Sequence, residues 1–215
     1  MSSLFSRLFK SGGSSADDSA DAGLDGRLAA LEKQAEKANQ GLRGIPLNTA
    51  GDRSDRAGDR SRALSYYGRA IDAFLEDAQP EAARGVARKI IRIHPEAVRT
   101  LCTLTWLDLG SSHLADALVH LNEYAAAAEK AGRSEIAREQ ILDMARTSAE
   151  VRFLEAAAMA LERLEAQEGA DQVREWARRD GGSEHAISNP VELLDRCLTA
   201  AVGTNARRDA EGAVA

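Results

Sequence analysis

The sequence contains few of the residues that mark a metal-binding, disulfide-stabilised or catalytic protein. Among its 215 residues are two cysteines and four histidines, and aromatic residues contribute only 4%. Cys102 and Cys197 provide no disulfide framework and no CxxC motif, so we expect small buried thiols in a reducing compartment. His113 and His120 share a predicted helix without an acidic or cysteine ligand at metal spacing, and the histidines are expected to be exposed or to cap helices. These absences predict a protein that is not an enzyme and needs no cofactor.

Further absences exclude other classes of protein. No stretch approaches the roughly 18 consecutive apolar residues of a membrane span. The first residues lack the apolar core and the cleavage site of a secretory signal. No glycine-rich phosphate loop of the Walker or dinucleotide type is present. The formal charge of −6 does not favour nucleic acid as a partner, because nucleic acid is bound by basic surfaces. We therefore expect a cytoplasmic protein.

The sequence is rich in alanine arranged in amphipathic helical patterns. Hydrophobic residues make up 44% of the chain, and alanine, frequent among them, favours helices and lets them pack closely. Between Arg56 and Glu96, apolar residues recur every three or four positions in two successive segments. Pro80 opens the second segment and Pro95 closes it. Neither helix can bury its apolar stripe alone, which predicts an all-α fold of roughly seven to nine packed helices.

The N-terminal residues form an apolar segment on a predicted tether. Residues 1–10 place four apolar side chains on one helical face, those of Leu4, Phe5, Leu8 and Phe9. Residues 11–23 are rich in glycine, serine and aspartate and are predicted to be a flexible linker. This pattern is typical of a segment that docks on a partner or touches a membrane. An unstructured tail is the other interpretation, because ten residues are only marginally helical in isolation.

Four more units follow in the prediction. They are an isolated helix at 24–41, a helical repeat domain at 47–180, a C-terminal helix at 189–202 and a disordered tail at 203–215. Their division rests on the punctuation of the chain by glycine, proline and polar cap residues.

Several helix ends are predicted from local signals. Gly110 is expected to end one helix in the left-handed conformation, and Gly169 is expected to stop another. Thr147-x-x-Glu150 matches a capping box, in which the hydroxyl and the carboxylate satisfy backbone donors at the start of a helix. Asn189 followed by a proline and a glutamate two residues further on predicts the start of the C-terminal helix.

Part of the chain carries a recurring pattern of small and larger apolar residues. The motifs are Leu47-x-x-Ala50-Gly51, Ala63-x-x-x-Tyr67-x-x-Ala70, Ala83-x-x-x-Ala87 with Pro95, and Ala117-x-x-x-Leu121. Ala117 follows Ala83 by 34 residues, the period of the tetratricopeptide repeat. The segment 47–129 resembles that family, although Ser54 stands where the family usually has an aromatic residue.

The resemblance implies a fold and a function. The implied fold is a right-handed α-solenoid of antiparallel helix pairs, tetratricopeptide-like, preceded by a disordered linker and followed by a disordered tail. The implied function is a non-catalytic scaffold or adaptor that binds a peptide or helix of a partner protein in its groove. The alanine, arginine, aspartate and glycine usage looks bacterial. The sequence identifies neither the partner nor the oligomeric state.

The charge pattern predicts one candidate binding surface. Arg84, Arg88 and Arg92 follow each other at intervals of one helical turn, with Lys89 beside them, opposite the apolar stripe. This arginine ridge, as we call these four residues, could bind the carboxylates of an acidic partner segment, or it could be an ordinary solvated face. Two alternatives to the scaffold remain open. One is a regulator that binds nucleic acid through the arginine ridge, and the other is a peripheral membrane protein recruited by residues 1–10.

Overall fold

The structure is a computed structural model that describes residues 15–179 and 182–210. Over these residues the chain forms ten α-helices and no β-strand, which confirms the all-α prediction. The number of helices is one above the upper end of the expected range. The helices are α1 (Ser15–Lys37), α2 (Gly44–Arg56), α3 (Arg60–Glu76), α4 (Pro80–Ile93), α5 (Val98–Gly110), α6 (Leu114–Lys130), α7 (Ser134–Thr147), α8 (Val151–Arg163), α9 (Gln167–Arg178) and α10 (Pro190–Ala210).

The first nine helices pack in the order in which they occur in the chain. Each helix from α1 to α8 contacts its successor, and the contacts between α2 and α3, α3 and α4, α5 and α6, and α8 and α9 are extensive. Ion pairs also join helices that are two apart in the chain. These pairs are Glu32–Arg69, Asp52–Lys89, Asp72–Arg99, Arg84–Asp116 and Glu129–Arg163. Successive helices therefore lie side by side, and each is within side-chain reach of the next but one.

Small residues set the distance between helices, as the motifs predict. Gly51 in α2 lies under the ring of Tyr67 in α3, and a Cβ atom at this glycine would come within 2.5 Å of that ring. Ala50 and Ala63 are fully buried at the same crossing. The large side chains of Tyr67, Trp106 and Tyr124 are buried among such small residues. This alternation of large and small residues lets the helices interlock closely.

The helix α1 is longer than predicted and is not isolated. It begins at Ser15, inside the segment 11–23 that was expected to be a flexible linker. The alanines in this segment favour helix. Leu28, Leu31 and Ala35 are buried in the core, and α1 packs against α2. The predicted isolated helix at 24–41 is therefore part of the packed series.

The roles predicted for two glycines at helix ends are wrong. Gly110 is the last residue of α5, and the left-handed conformation occurs two residues later, at Ser112 with φ of 58°. Gly169 lies inside α9, and the chain turns before it, at Glu165 with φ of 59°. In both turns a residue with a side chain takes the position for which glycine was expected. Gly132, with φ of 67° just after α6, does take the left-handed conformation that glycine favours.

The predicted capping box is also wrong. Thr147 is the last residue of α7, and its hydroxyl donates to the carbonyl of Asp143 in the preceding turn, 2.8 Å away. The start of α8 uses Ser148 instead, whose Oγ accepts a hydrogen bond from the backbone N–H of Glu150 at 3.1 Å. The helix therefore begins after the expected pattern, because the hydroxyl of Thr147 is already engaged in α7.

The predicted start of the C-terminal helix is confirmed. Asn189 Oδ1 accepts hydrogen bonds from the backbone N–H groups of Val191 at 2.9 Å and Glu192 at 3.4 Å. The helix α10 then extends to Ala210, beyond the predicted end at residue 202 and into the segment expected to be a disordered tail. It does not continue the series of helices, because its most extensive contacts are with α5 in the middle of the chain.

Candidate interaction groove

The helix α10 lies across three alternate helices of the series. It packs extensively on α5 and also contacts α3. Its contact with α7 is an ion pair, in which Arg196 donates to Asp143 Oδ2 at 2.7 Å. We refer to the surface of α3, α5 and α7 beneath α10 as the α3–α5–α7 face. Because α10 covers this face, it is the place where the protein already binds a helix.

The backbones of α5 and α10 approach closely because the residues at their crossing are small. A Cβ atom at Gly110 would lie 2.7 Å from Cys197 Cβ and 3.3 Å from Leu194 Cα. Real Cβ atoms essentially never come within 3.0 Å of another heavy atom, so only glycine permits this crossing without movement of α10. Cys197 and Ala201, one turn apart on α10, are fully buried against this surface. Gly110 therefore serves helix packing, and not the capping role expected from the sequence.

A polar contact holds α10 at the edge of the α3–α5–α7 face. The guanidinium of Arg196 lies 5.6 Å from the centre of the Trp106 ring and also pairs with Asp143. The Arg196 and Asp143 side chains are each 36% exposed, so their ion pair is partly screened by solvent. Its main effect is to select the register of α10, because Trp106 and Asp143 bracket a single position on that helix.

The segment before α10 is attached to the end of α7. The Ser183 hydroxyl donates to the carbonyl of Arg146 at 2.6 Å, and the Ile187 N–H donates to the carbonyl of Thr147 at 2.9 Å. These bonds satisfy carbonyl groups in the last turn of α7, which have no partner within the helix. They hold the segment that follows α9 at the end of α7, from which the chain enters α10 on the α3–α5–α7 face.

The composition of α5 indicates that the helix is buried on all sides, which its apolar stripe alone did not reveal. Every residue from Leu101 to Gly110 is buried. An apolar stripe, such as the one formed by Val98, Leu101, Leu104 and Thr105, describes only one side of the helix. The other side carries Trp106 and is covered by α7 and α10. A helix that is apolar all round is buried all round, and the segment 101–110 has a single charged residue, so a covering element could have been predicted.

That single charged residue, Asp108, is the centre of a buried polar cluster. Its side chain is fully buried, and Oδ1 accepts a hydrogen bond from Arg84 Nε at 2.5 Å. Nδ1 of His120 lies 2.6 Å from the other oxygen, Oδ2. Burial by itself would lower the pKa of Arg84, but the charge of Asp108 and its hydrogen bond outweigh burial and raise it. The cluster joins α4, α5 and α6, and His120 is a half-buried partner of Asp108 rather than the exposed or capping histidine that was predicted.

The arginine ridge is not the uniform exposed surface that its spacing suggested. Arg84 is 8% exposed and belongs to the buried cluster. Arg88 donates to Asp116 of α6 at 2.7 Å, whereas Lys89 and Arg92 pair with aspartates of α2. The spacing prediction failed for Arg84 because α4 lies between two helices with acidic side chains. All four cations have partners within the chain, and a role of the ridge in binding an acidic partner stays a prediction.

One of these partners, Asp52, makes stability depend on pH. Burial would raise the pKa of Asp52, but hydrogen bonds from Lys89 at 2.5 Å and Tyr67 at 2.7 Å outweigh burial and lower it. The unfolded chain then binds more protons in acid than the folded chain does. The stabilisation is therefore present above the ordinary aspartate pKa and is lost as the pH falls through the folded value.

We expect Asp52→Asn to flatten the acid destabilisation of the protein. The slope of the thermal midpoint against pH, measured between about pH 5 and pH 2, should be smaller than in the parent chain. Glu155→Gln, which removes an exposed carboxylate on α8, is the control and should leave the slope unchanged. An unchanged slope for Asp52→Asn would contradict the assignment.

The predicted N-terminal apolar segment lies outside the described residues, and the predictions about membrane spans and metal sites concern the described part of the chain. Leu4, Phe5, Leu8 and Phe9 lie outside the described residues, so their predicted docking or membrane contact stays a prediction. Within residues 15–179 and 182–210 no helix is long and apolar enough to cross a membrane, and no cluster of metal-ligating side chains occurs.

Both cysteines are buried, as predicted. Burial raises the pKa of Cys197 to about 12. At neutral pH the Cys197 thiol is protonated, and under α10 it packs as a small apolar group.

No protein-family model, no curated protein and no solved structure matches this chain. The resemblance to the tetratricopeptide repeat therefore stays a prediction that rests on the motifs of residues 47–129.

Proposed function

We propose that this protein is a non-catalytic, cytoplasmic interaction scaffold that binds a helix or peptide of a partner protein on its α3–α5–α7 face. The observation that carries the proposal is the packing of α10 on this face. A surface that buries one amphipathic helix has the shape and the apolar floor to accept another. The protein partner supplies its own helix, and the scaffold supplies a preformed site.

The proposed architecture is a tetratricopeptide-like, right-handed α-solenoid. Two features of the packing support it: consecutive helices contact each other, and ion pairs bridge helices that are two apart. In a solenoid of helix pairs, alternate helices line one surface and offer it to a ligand. In this protein α3, α5 and α7 are alternate helices, and α10 contacts all three.

The chemistry of the α3–α5–α7 face suits a helix. Trp106 offers a large apolar surface with a ring to which a cation can pack, and aromatic residues of this kind dominate binding energy at many interfaces. Gly110 allows close approach of a backbone. Asp143 supplies a charge at the edge that selects a basic residue of the ligand. These three features together define a ligand helix with small residues at its centre and a basic residue beside them.

Affinity purification with a blocked face tests the proposal. Proteins recovered with the intact tagged chain are identified by mass spectrometry and compared with those recovered by Gly110→Leu, whose side chain occupies the contact surface of α5. Gly85→Leu is the matched control, because a Cβ at Gly85 in α4 would meet no heavy atom within 4 Å beyond its chain neighbours and the adjacent backbone of its own helix. We expect specific partners to be retained by Gly85→Leu and lost, at least about tenfold, with Gly110→Leu, which corresponds to about 1.4 kcal/mol. Recovery of the same partners at the same level by both variants would contradict binding at this face.

A further inference from the structure

We propose that α10 is a built-in competitor for the partner site, and that the partner presents a helix with the features of α10. These features are two small residues one turn apart, an arginine immediately before the first of them, and apolar residues on either side. This inference rests on the proposed function, because it assigns both the ligand class and the regulation of the same face.

The small residues follow from the crossing at Gly110. Cys197 and Ala201 are the fully buried positions described on α10, and the backbone of Leu194 is already close to the space a Cβ would take at Gly110. A leucine or phenylalanine in place of Cys197 would not fit without separating the helices. A partner helix must therefore carry alanine, glycine, serine or cysteine at both positions.

The requirement for an arginine in the partner helix follows from the groups at the edge of the α3–α5–α7 face. Arg196 satisfies two groups at once, because it packs over Trp106 and donates to Asp143. Arginine is suited to this double contact, since its planar guanidinium can pack on a ring while its N–H groups donate sideways. A lysine would keep the charge but would lose the planar contact. The pair Trp106 and Asp143 thus selects arginine and also fixes which way the helix enters.

Two observations point to an exchangeable α10. First, α10 is not part of the sequential packing of α1 to α9, and the chain reaches it through the segment between Arg178 and Pro190. Second, the described part of α10 has only two fully buried side chains, whereas its floor on α5 is buried along ten consecutive residues. If α10 leaves, the apolar floor is exposed and requires another cover.

The tether makes α10 an effective competitor. A helix joined to its site by a short connection is present at an effective concentration on the order of 1 mM. If α10 itself has an intrinsic dissociation constant of about 10 µM for the face, it weakens the apparent binding of any other helix about 100-fold. A partner therefore binds well only when it contacts the α3–α5–α7 face better than α10 does, or when α10 has been released.

A labelled α10 peptide measures this competition directly. The probe is a fluorescein-labelled synthetic peptide of residues 188–203, kept reduced, and its binding to full-length chains is followed by fluorescence anisotropy. Cys197→Asp places a carboxylate at a fully buried position and should release α10 while leaving the face unchanged. Thr199→Asp adds the same charge on an exposed position of α10 and is the matched control. We expect Cys197→Asp to bind the probe at least about tenfold more tightly than the intact chain or Thr199→Asp.

A size-complementation experiment locates the binding. In the double variant Gly110→Ala with Cys197→Asp, the new Cβ on α5 should prevent binding of the native probe. A second probe peptide that carries the Cys197→Gly replacement removes the opposing Cβ and should restore binding at least in part. The α5 crossing is identified as the contact if the second probe binds the double variant more tightly than the native probe does, and if it shows no such advantage with the single variant Cys197→Asp.

The outcomes distinguish a failure of the proposed competition by α10 from a failure of the proposed binding site. If the intact chain and Cys197→Asp bind the probe equally, α10 does not compete, and the proposed scaffold function stands. If amide hydrogen exchange shows that α10 is released in Cys197→Asp but no probe binds, the face does not accept a helix in trans and the proposed function fails at this site. If the intact chain forms dimers in which copies exchange α10, the ligand is a second copy and the inference of a partner helix is overturned.

A milder variant covers the case in which Cys197→Asp does not fold. Circular dichroism reports the fold of each chain, and Arg196→Glu replaces the ion pair with a repulsion at partly exposed positions without placing a charge in the core. Arg196→Glu should bind the native probe severalfold more tightly than the intact chain. Equal affinity in this variant, with hydrogen exchange confirming a loosened α10, would overturn the competition.

Discussion

Replacing Trp106 with alanine is expected to lower the free energy of unfolding by about 3–5 kcal/mol. The indole is fully buried at the point where α5, α7 and α10 meet. Its Nε1 donates to Gln140 Oε1 of α7 at 3.2 Å, and its ring lies under Arg196 of α10. The replacement leaves a large cavity and uncouples three helices, so it should also weaken the protection of α10. Urea denaturation followed by circular dichroism, with hydrogen exchange of α10 amides, measures both effects.

Two variants separate the size of Trp106 from its hydrogen bond. Trp106→Phe keeps most of the apolar surface and loses the N–H group, which is one of two donors to the half-buried Gln140 Oε1, so it should cost about 1 kcal/mol. Gln140→Leu removes the acceptor and leaves the N–H of the fully buried indole without this partner, so it should cost about 1–3 kcal/mol. A loss below about 1 kcal/mol for Trp106→Ala would contradict its role as the common contact of the three helices.

Replacing Asp108 with alanine is the other large expected effect, at about 3–5 kcal/mol. Asp108 is fully buried and is the only described carboxylate in contact with both Arg84 and His120. Its removal leaves the Arg84 guanidinium mostly buried with less than its full set of partners, because Glu81 and Asp116 reach it only from the surface. Chemical denaturation at neutral pH measures the loss.

A comparison of single and double variants tests whether Asp108 acts through Arg84. Asp116→Ala removes a half-exposed carboxylate from the same arginine and should cost less than about 1 kcal/mol. The pair Arg84→Met with Asp108→Leu removes both charges and fills their volume, so it should be less destabilised than Asp108→Ala alone. With the single variants Arg84→Met and Asp108→Leu measured alongside, a loss in the pair equal to the sum of the two single losses would mean that the two groups stabilise the protein independently.

The existence of the helices follows from local patterns. Pro80 and Pro95 bracket α4 as predicted, because proline is tolerated at the first turn of a helix and disfavours helix in the residue before it. Asn189 caps α10 as predicted, because its side chain reaches backbone donors two and three residues further on. These signals depend on residues close together in the chain, so one sequence is sufficient to detect them.

Signals that depend on distant contacts were misread. Gly110 was assigned to a helix end, because a glycine after an apolar run usually has that role. Its actual role depends on Cys197, which belongs to a helix far along the chain. Arg84 was assigned to an exposed face because the apolar stripe of α4 lies elsewhere. Its burial depends on Asp108, which α5 brings into the space beside it.

The candidate site was predictable in part. The all-round apolar pattern of the segment 101–110 implies that α5 is covered on every side, and the small residues at Cys197 and Ala201 imply a close helix contact. The sequence does not indicate that these two features meet, because a periodic pattern shows which side of a helix is buried and not which helix buries it. Only the packed chain pairs α10 with α5.

The sequence by itself determined that the chain is helical, where most helices lie and which side of each is apolar, because helix propensity, proline and residue spacing act over a few positions. Tertiary structure decided that α10 leaves the series to cover α3, α5 and α7, and that part of the arginine ridge is buried in ion pairs. The physical reason is that an apolar stripe gains the same free energy from any well-fitting cover, so the choice of cover depends on the shape and charge of surfaces formed only when the chain has packed.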